Sequence, residues 1–478
     1  MVLTVPSVAD RHLLNRFSFG ASRPLVNQSA SKGGAAKWFA WQLYPKSITD
    51  SAGDAINTWY PHILQSPATS WKAHDNRTFL RAQWGNEFVN WTMMRRVRSQ
   101  RQLHEVMTAF WSNLLYIPVY EPKGWPLHKQ YDTTIRTYAL DTFENLLVNA
   151  VLHPNMSCYL DNTLSTASHL NENLGREVLE LHTVGVDGGY TEDMVQDSAR
   201  ILTGYHVDQW ATWAGSYRTQ DHATGAVKVM GFTHANSAAD GRPVAVAYLK
   251  YLAHHPATAQ RIAKRLCAQF VSDTPTSAHV AAVAKAFTDS GTAVKPTIKA
   301  LVGHPDFAKA VNAKVRTPDD DIVATWRALQ VVPAAPGTDP NAFAVSAHMK
   351  AQQMGNIPFS WPRPDGPPIT DDAWAGTGRM LASWSVHDGC AWGFPSRKVT
   401  YRSMNDWLPT MPATMDTITD HVARQLHARP ASDAVKVAAR SLLGFTGTHK
   451  FASKSDFAAS RVHKLLSLLL NTNQNMTR

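Results

Sequence analysis

The chain has 478 residues, enough for a large core and, at usual domain sizes, for two or three domains. Hydrophobic residues make up 44% of it, which excludes wholesale disorder. The net charge of +10 permits nucleic-acid or anionic-membrane binding, but the basic residues are dispersed and a nucleic-acid partner is disfavoured. The densest basic run, Arg95, Arg96, Arg98 and Arg101, sits beside Trp91, Met93 and Met94 and reads as a solvated helix face. Three cysteines, Cys158, Cys267 and Cys390, form no CxxC pair, which argues against a disulfide framework or structural zinc and for a reducing compartment. The first twenty residues lack the basic start and apolar run of a secretory signal, and no stretch of roughly 18 apolar residues occurs. The expectation is a cytoplasmic protein without a membrane span.

In chain order, residues 10–19 predict a first helix, with Leu13, Leu14 and Phe17 on one face and Gly20 as its stop. Residues 35–43 predict a second, and 76–111 a long helical region striped by Phe79, Phe88, Trp91, Leu103, Met107 and Phe110. A loop rich in Pro, Gly and aromatics follows at 118–132, then helices at 134–152 and 170–184. Thr191, followed by Glu192 and Asp193, predicts an N-cap, and Gly204 a stop. Residues 206–234 mix Thr, Val, Tyr and Trp with Gly turns and predict short strands or an ordered loop. Helical patterns return at 242–271, 276–289, 296–303 and 319–329, with His254-His255-Pro256 ending one helix and starting another. The Pro- and Gly-containing stretch 332–339 reads as a linker, 361–368 as a second bend, and the last hundred residues as helical, ending with 462–470. The expected fold class is mainly α: a multi-helix, globular, bundle-like architecture with long ordered loops and a few short strands. Residues 1–332 would form the main helical domain and 341–478 a C-terminal helical region packed on it as one unit.

The stretch NENLGREVLELHTVGVDGGY at 171–190 carries the strongest chemical signal. Glu177 and Glu180, three residues apart, share a helix face, where paired carboxylates hold a divalent cation or split their pKa values so that one acts as an acid. His182 lies five residues past Glu177, about 140° away on a regular helix, so the three groups meet only if the helix unwinds toward Gly185. The competing reading is that Arg176, Glu177 and Glu180 form buried ion pairs between helices, capped by Asn171 and Asn173. Asp161 in YLDN caps a helix or faces the same cavity. HEVMTAFW at 104–111 resembles a zincin start, but Thr108 stands where the second His is needed. His206, Asp208, His222 and His234 fall in the irregular segment without a fixed ligand spacing. No GxGxxG after a strand, no GxxxxGK[ST] and no GxSxG occurs, which makes a nucleotide cofactor or serine hydrolysis an unfavoured expectation.

HLLNRFSFGAS at 12–22, FWSNLL at 110–115, HPNMSCYLDNTLST at 153–166 and NENLGREVLELHTVGVDGGYTEDMV at 171–195 resemble a large bacterial family, the domain of unknown function 1800 family. The resemblance continues through ARILTGYHV at 199–207, HPATAQRIAKRLCAQFVSD at 255–273, VRTPDDDIVATWRAL at 315–329 and MGNIPFSWPRPDGPP at 354–368, nearly the whole chain. It implies no activity. Members often carry two histidines after the Trp of the FW motif, as in WHNH; here Trp111 precedes Ser112, Asn113 and Leu114, so any metal those histidines hold in relatives would need other ligands.

The residues therefore point to an enzyme with a polar pocket between helices, acting on a small organic substrate by acid/base or metal-assisted chemistry. Glu177, Glu180, His182 and Tyr190 would carry the chemistry, the first three doubling as metal ligands, while Asp161, Asn173, Arg176, His206 and Trp111 would bind substrate and His104 would contribute from a neighbouring helix. The 16 tryptophans suit an aromatic-walled pocket. A non-catalytic binding or assembly protein, and a haem- or metal-dependent oxidoreductase, are the alternatives; noncovalent haem leaves little trace in a sequence.

Overall fold

A computed structural model describes residues 5–478. Several of its helix starts are set by side chains that satisfy the orphan N–H groups of a first turn. The Ser7 hydroxyl accepts from the Asp10 N–H to open Val8–Arg16, and the Thr191 hydroxyl accepts from Met194 to open Glu192–Ile201. Three His-Pro steps use one further device. His153, His255 and His304 each turn Nδ1 onto the N–H two residues ahead, with the proline at the first helical position, where its missing N–H costs nothing.

The result is mainly α, with twenty-four α-helical segments among the described residues and a few two-stranded antiparallel pairs. The segment expected to be irregular holds two hairpins, Tyr205–Val207 with Gly215–Tyr217 and Val227–Val229 with Phe232–His234. The long helical region at 76–111 is two helices, Arg81–Arg98 and Gln102–Leu114. Asp50 breaks it by taking the Ser99 hydroxyl and the Gln100 N–H, which a continuous helix would have kept for itself. The following loop is shorter than expected, because His128–Tyr138 is already helical.

The stretch 332–339 is stitched down at several points. Val332–Pro333 pairs with Val399–Thr400, and the Ala334 N–H donates to Lys398 O. Beyond it, Phe343–Gln353 lies on Arg81–Arg98, where Asn90 donates to Val345 O and accepts from the His348 N–H, both at 2.8 Å. One continuous hydrophobic cluster includes both Leu13 and Leu470. Trp38, Trp84, Trp91, Trp111, Trp125, Trp213, Trp326 and Trp407 are buried in the interior. Cys158, Cys267 and Cys390 are buried and unpaired.

The basic run is not a solvated face. Arg95 and Arg96 are buried, Arg95 pairing with Glu105 and Arg96 with Asp319, and their guanidiniums lie over the rings of Trp91 and Phe19. Carboxylates supplied by other helices make burial of these arginines tolerable. Among the described residues no helix is long and apolar enough to cross a membrane.

Candidate active site

The block begins where Asn171 Oδ1 accepts from the Asn173 N–H at 2.9 Å and starts the helix Asn173–Glu177. Gly175 is required by packing. A Cβ there would stand 2.6 Å from the Ala199 nitrogen, and Ser198 Oγ donates to the Gly175 carbonyl at 3.0 Å. From Val178 to His182 the helix widens into a π-turn, a form concentrated at functional sites. The carbonyls that a widened turn leaves over are each taken: Val178 O by the Thr183 hydroxyl (2.6 Å), Leu179 O by the Gly185 N–H (2.9 Å) and Leu181 O by Arg261 Nη2 (2.6 Å). Gly185, at φ +93°, leaves space for Arg261, whose Nη1 would lie 3.0 Å from an added Cβ.

The π-turn separates the three acid and imidazole groups into different surroundings. Arg176 ties Glu172, Glu180 and Glu192 together at 3.4, 3.7 and 2.6 Å on the outside of the helix. Glu177 stands apart from that lattice. Among the described residues it is half-buried with no ion pair and no hydrogen bond, so the expected buried ion-pair network of Arg176, Glu177 and Glu180 forms only at the surface and without Glu177. Burial, then the Glu180 charge, push the Glu177 carboxyl up to about 7, with Asp365 adding to the rise and Arg176 opposing it. Tyr159 shares the neighbourhood of Glu177, and burial followed by Glu121, Glu177 and Asp365 raises its phenol. Tyr190 faces Glu180, and burial together with that carboxylate pushes its hydroxyl up to about 12.

His182 is turned inward and buried. Burial, with Arg261 second, pushes its imidazole down to about 3, so the ring is neutral at physiological pH, and Nδ1 has no hydrogen-bond partner. The ligand atoms of Glu177, Glu180 and His182 do not converge. The one group of three such residues within 4.8 Å among the described residues is His279, His304 and Asp306. That trio is occupied otherwise: the two imidazoles stack at 4.1 Å, His279 Nε2 bonds Leu301 O, His304 Nδ1 caps a helix, and Asp306 takes the Thr276 hydroxyl and Lys309.

The other sequence candidates scatter. Asp161 has its carboxylate held by Lys123 at 2.7 Å. His206 pairs with Ser216 in the hairpin, near Asp208. Asn173 serves as the first residue of the helix that carries Glu177. Trp111 is a core residue rather than a substrate contact, because it is 1% exposed and its Nε1 donates to Ala139 O. His104 Nε2 donates to Arg136 O, and its neighbour Glu105 is locked between Arg95 and Arg136.

Asp365, which acts on Glu177, also acts on Arg265, and with Arg265 come residues not named as site candidates from the sequence. Arg265 donates to the Asn113 side chain, Asn113 Nδ2 donates to Pro367 O at 2.9 Å, and Gly366 sits so close that a Cβ would meet Asn113 O at 2.6 Å. Burial, then Arg261, push the Arg265 guanidinium down to about 10, against the pull of Asp365. Asn113 also lines a cavity of about 100 Å³ whose wall includes Phe19, Phe110, Phe359, Tyr116 and three prolines, with no tryptophan. Ser112, at one of the two positions where the family resemblance places histidine, lines it; Leu114, at the other, is in the core. Asn113 was legible as part of the FWSNLL motif and Asp365 as part of the PRPDGPP bend, and the i,i+4 spacing of Arg261 and Arg265 puts them on one helix face.

The family described as "Protein of unknown function (DUF1800)" matches residues 12–475. The chain belongs to it. No curated protein and no solved structure matches the chain.

Proposed function

We propose that this member of the family is an enzyme of small-molecule metabolism in which Glu177 is the general acid and base. The observation that supports the reading is the contrast within one helix turn: every charged neighbour of Glu177 is paired, while Glu177 is left unpaired with its carboxyl raised to about 7. A carboxyl at that value is half-protonated at neutral pH, where proton transfer in both directions is most efficient. Misplaced pKa values of this kind concentrate at catalytic sites. In this reading Tyr159 and Tyr190 are hydroxyl donors at the edge of the site, Arg176 and Glu180 set the carboxyl's proton affinity, and Asp365 faces the substrate from the Pro-rich bend. Arg261 holds the π-turn in shape through Leu181 O, and Arg265 anchors Asn113 beneath it.

The test is a comparison of the wild type with Glu177→Gln in a fractionated metabolite extract, read by mass spectrometry. The expected result is at least one compound consumed by the wild type and spared by the variant, with a rate loss of about 10²–10⁴ once that compound is isolated. Equal consumption by both proteins, or a variant that unfolds, would sink the proposal and favour a non-catalytic binding role for the block.

A further inference from the structure

A second pocket lies away from this block and gathers positive charge without a carboxylate on its wall. It has a volume of about 40 Å³ and is lined by residues from four separated segments, among them Arg11, Arg316, His427, Arg429 and the amides Asn312 and Gln474. On the usual scale a single water needs about 10–15 Å³, so the space holds about three waters or one small oxyanion.

The charges on this wall are of two kinds. Arg316 is spoken for: it donates to Asp320 at 3.0 Å, to Asn15 Oδ1 at 2.6 Å and to Asn475 O at 2.9 Å, and Asp320 is shared with Arg478. Arg11 and Arg429 are not. Among the described residues neither guanidinium has an ion pair or a side-chain hydrogen bond, although both are half-buried. Burial lowers the proton affinity of each, and the Arg429 charge lowers that of Arg11 further. Side chains as flexible as arginine ordinarily escape such an arrangement into water.

His427 supplies an independent sign. It is 9% exposed, neither Nδ1 nor Nε2 makes a hydrogen bond within 3.5 Å, and the Asn475 side chain is its polar neighbour. Burial, with Arg429 and Arg316 next, pushes its imidazole down to about 3, the Asn475 side chain opposing the shift and Arg11 adding to it. A buried ring with no close hydrogen bond at either nitrogen has room for a further polar partner. The helix Arg23–Ser31 also begins at this pocket, through Ser22, whose side chain makes no cap bond, and a helix N-terminus favours negative charge.

We infer that this pocket binds a phosphate group, held by the Arg11 and Arg429 guanidiniums with His427 and the Asn312 and Gln474 amides as further donors. Two unpaired cations call for two negative charges, and a phosphate at neutral pH carries close to that number. Guanidinium, imidazole and amide donors drawn from several segments also suit the several oxygens of a phosphate better than the two of a carboxylate. The pocket opens past the exposed Asn312, so both free phosphate and the phosphate of a monoester can enter.

Calorimetric titration of the whole protein with inorganic phosphate, ribose 5-phosphate and acetate tests this, with thermal unfolding as the second readout. Saturable, one-to-one binding of at least one phosphate probe is expected, with acetate at least tenfold weaker. Arg11→Gln and Arg429→Gln should each weaken it at least tenfold, while Arg397→Gln, at an exposed position outside the pocket, should leave it unchanged. In phosphate-free buffer the two pocket variants should unfold no lower than the wild type, since each removes a repelling charge. Tighter binding of the monoester assigns the phosphate to an organic ligand, and tighter binding of inorganic phosphate assigns it to the free ion. The inference is overturned if no phosphate probe saturates, if acetate binds equally well, or if the double variant Arg11→Gln/Arg429→Gln binds like the wild type.

Discussion

Glu105 and Glu177 are both helical glutamates with arginines in their neighbourhood, and the protein treats them in opposite ways. Burial alone would push the Glu105 carboxyl up, but Arg136, Arg95 and His104 together outweigh it and hold the group below the ordinary carboxylate range. Glu105 is closed in by two arginines, Arg95 on Oε1 at 3.0 Å and Arg136 on Oε2 at 2.7 Å, and Arg136 also holds Asp132. Glu177 has less burial and no partner, and its nearest charges are mostly of its own sign. Distance to an arginine in the sequence is therefore a poor guide to ionisation, since Arg176 is adjacent to Glu177 and spends its guanidinium on Glu172, Glu180 and Glu192. A carboxylate surrounded by guanidiniums glues helices together; one left among carboxylates holds a proton that chemistry can use.

That contrast can be broken most forcefully at Glu105. Glu105→Gln leaves Arg95 and Arg136 buried against a neutral partner and should cost about 3–5 kcal/mol in chemical denaturation. A loss below roughly 1 kcal/mol, the range of an exposed pair, would place Glu105 with the surface charges.

Glu177→Gln should behave in the reverse sense. Between roughly pH 4.5 and 7 the folded chain keeps a proton on Glu177 that the unfolded chain has released, so this group's contribution to stability falls as pH rises through that window. The glutamine variant should thus match the wild type near pH 4.5 and exceed it at about pH 8, by about 1–2 kcal/mol after allowance for solvent screening. Unfolding midpoints at the two pH values measure it, and a variant weaker than wild type at the higher pH would contradict the unpaired state of Glu177.

Finer adjustments should appear in the pH dependence of activity. Glu180→Gln removes a neighbour that raises the Glu177 carboxyl and should move the pH midpoint of turnover down, whereas Arg176→Ala removes a neighbour that lowers it and should move the midpoint up. Arg176→Ala should cost only about 0.2–1 kcal/mol of stability, because its ion pairs are largely exposed. Midpoints that stay together in both variants would show that another group controls the rate.

The sequence determined the class of fold by itself. Apolar residues at helical spacing, the Thr191 cap and the His255-Pro256 junction are local signals, and a helix's hydrogen bonds close within its own few residues. It also singled out the 171–190 block as a candidate, because the spacing of Glu177 and Glu180 puts them on one face of a regular helix. Tertiary structure decided what remained. The break at Ser99 depends on Asp50, about fifty positions away, and the burial of Arg96 depends on Asp319. The π-turn that turns His182 inward is held by Arg261, and the raised carboxyl of Glu177 depends on Asp365 as well as Glu180. Electrostatic surroundings are a sum over neighbours in space, so the proton affinity of Glu177 was fixed only when distant segments folded against it.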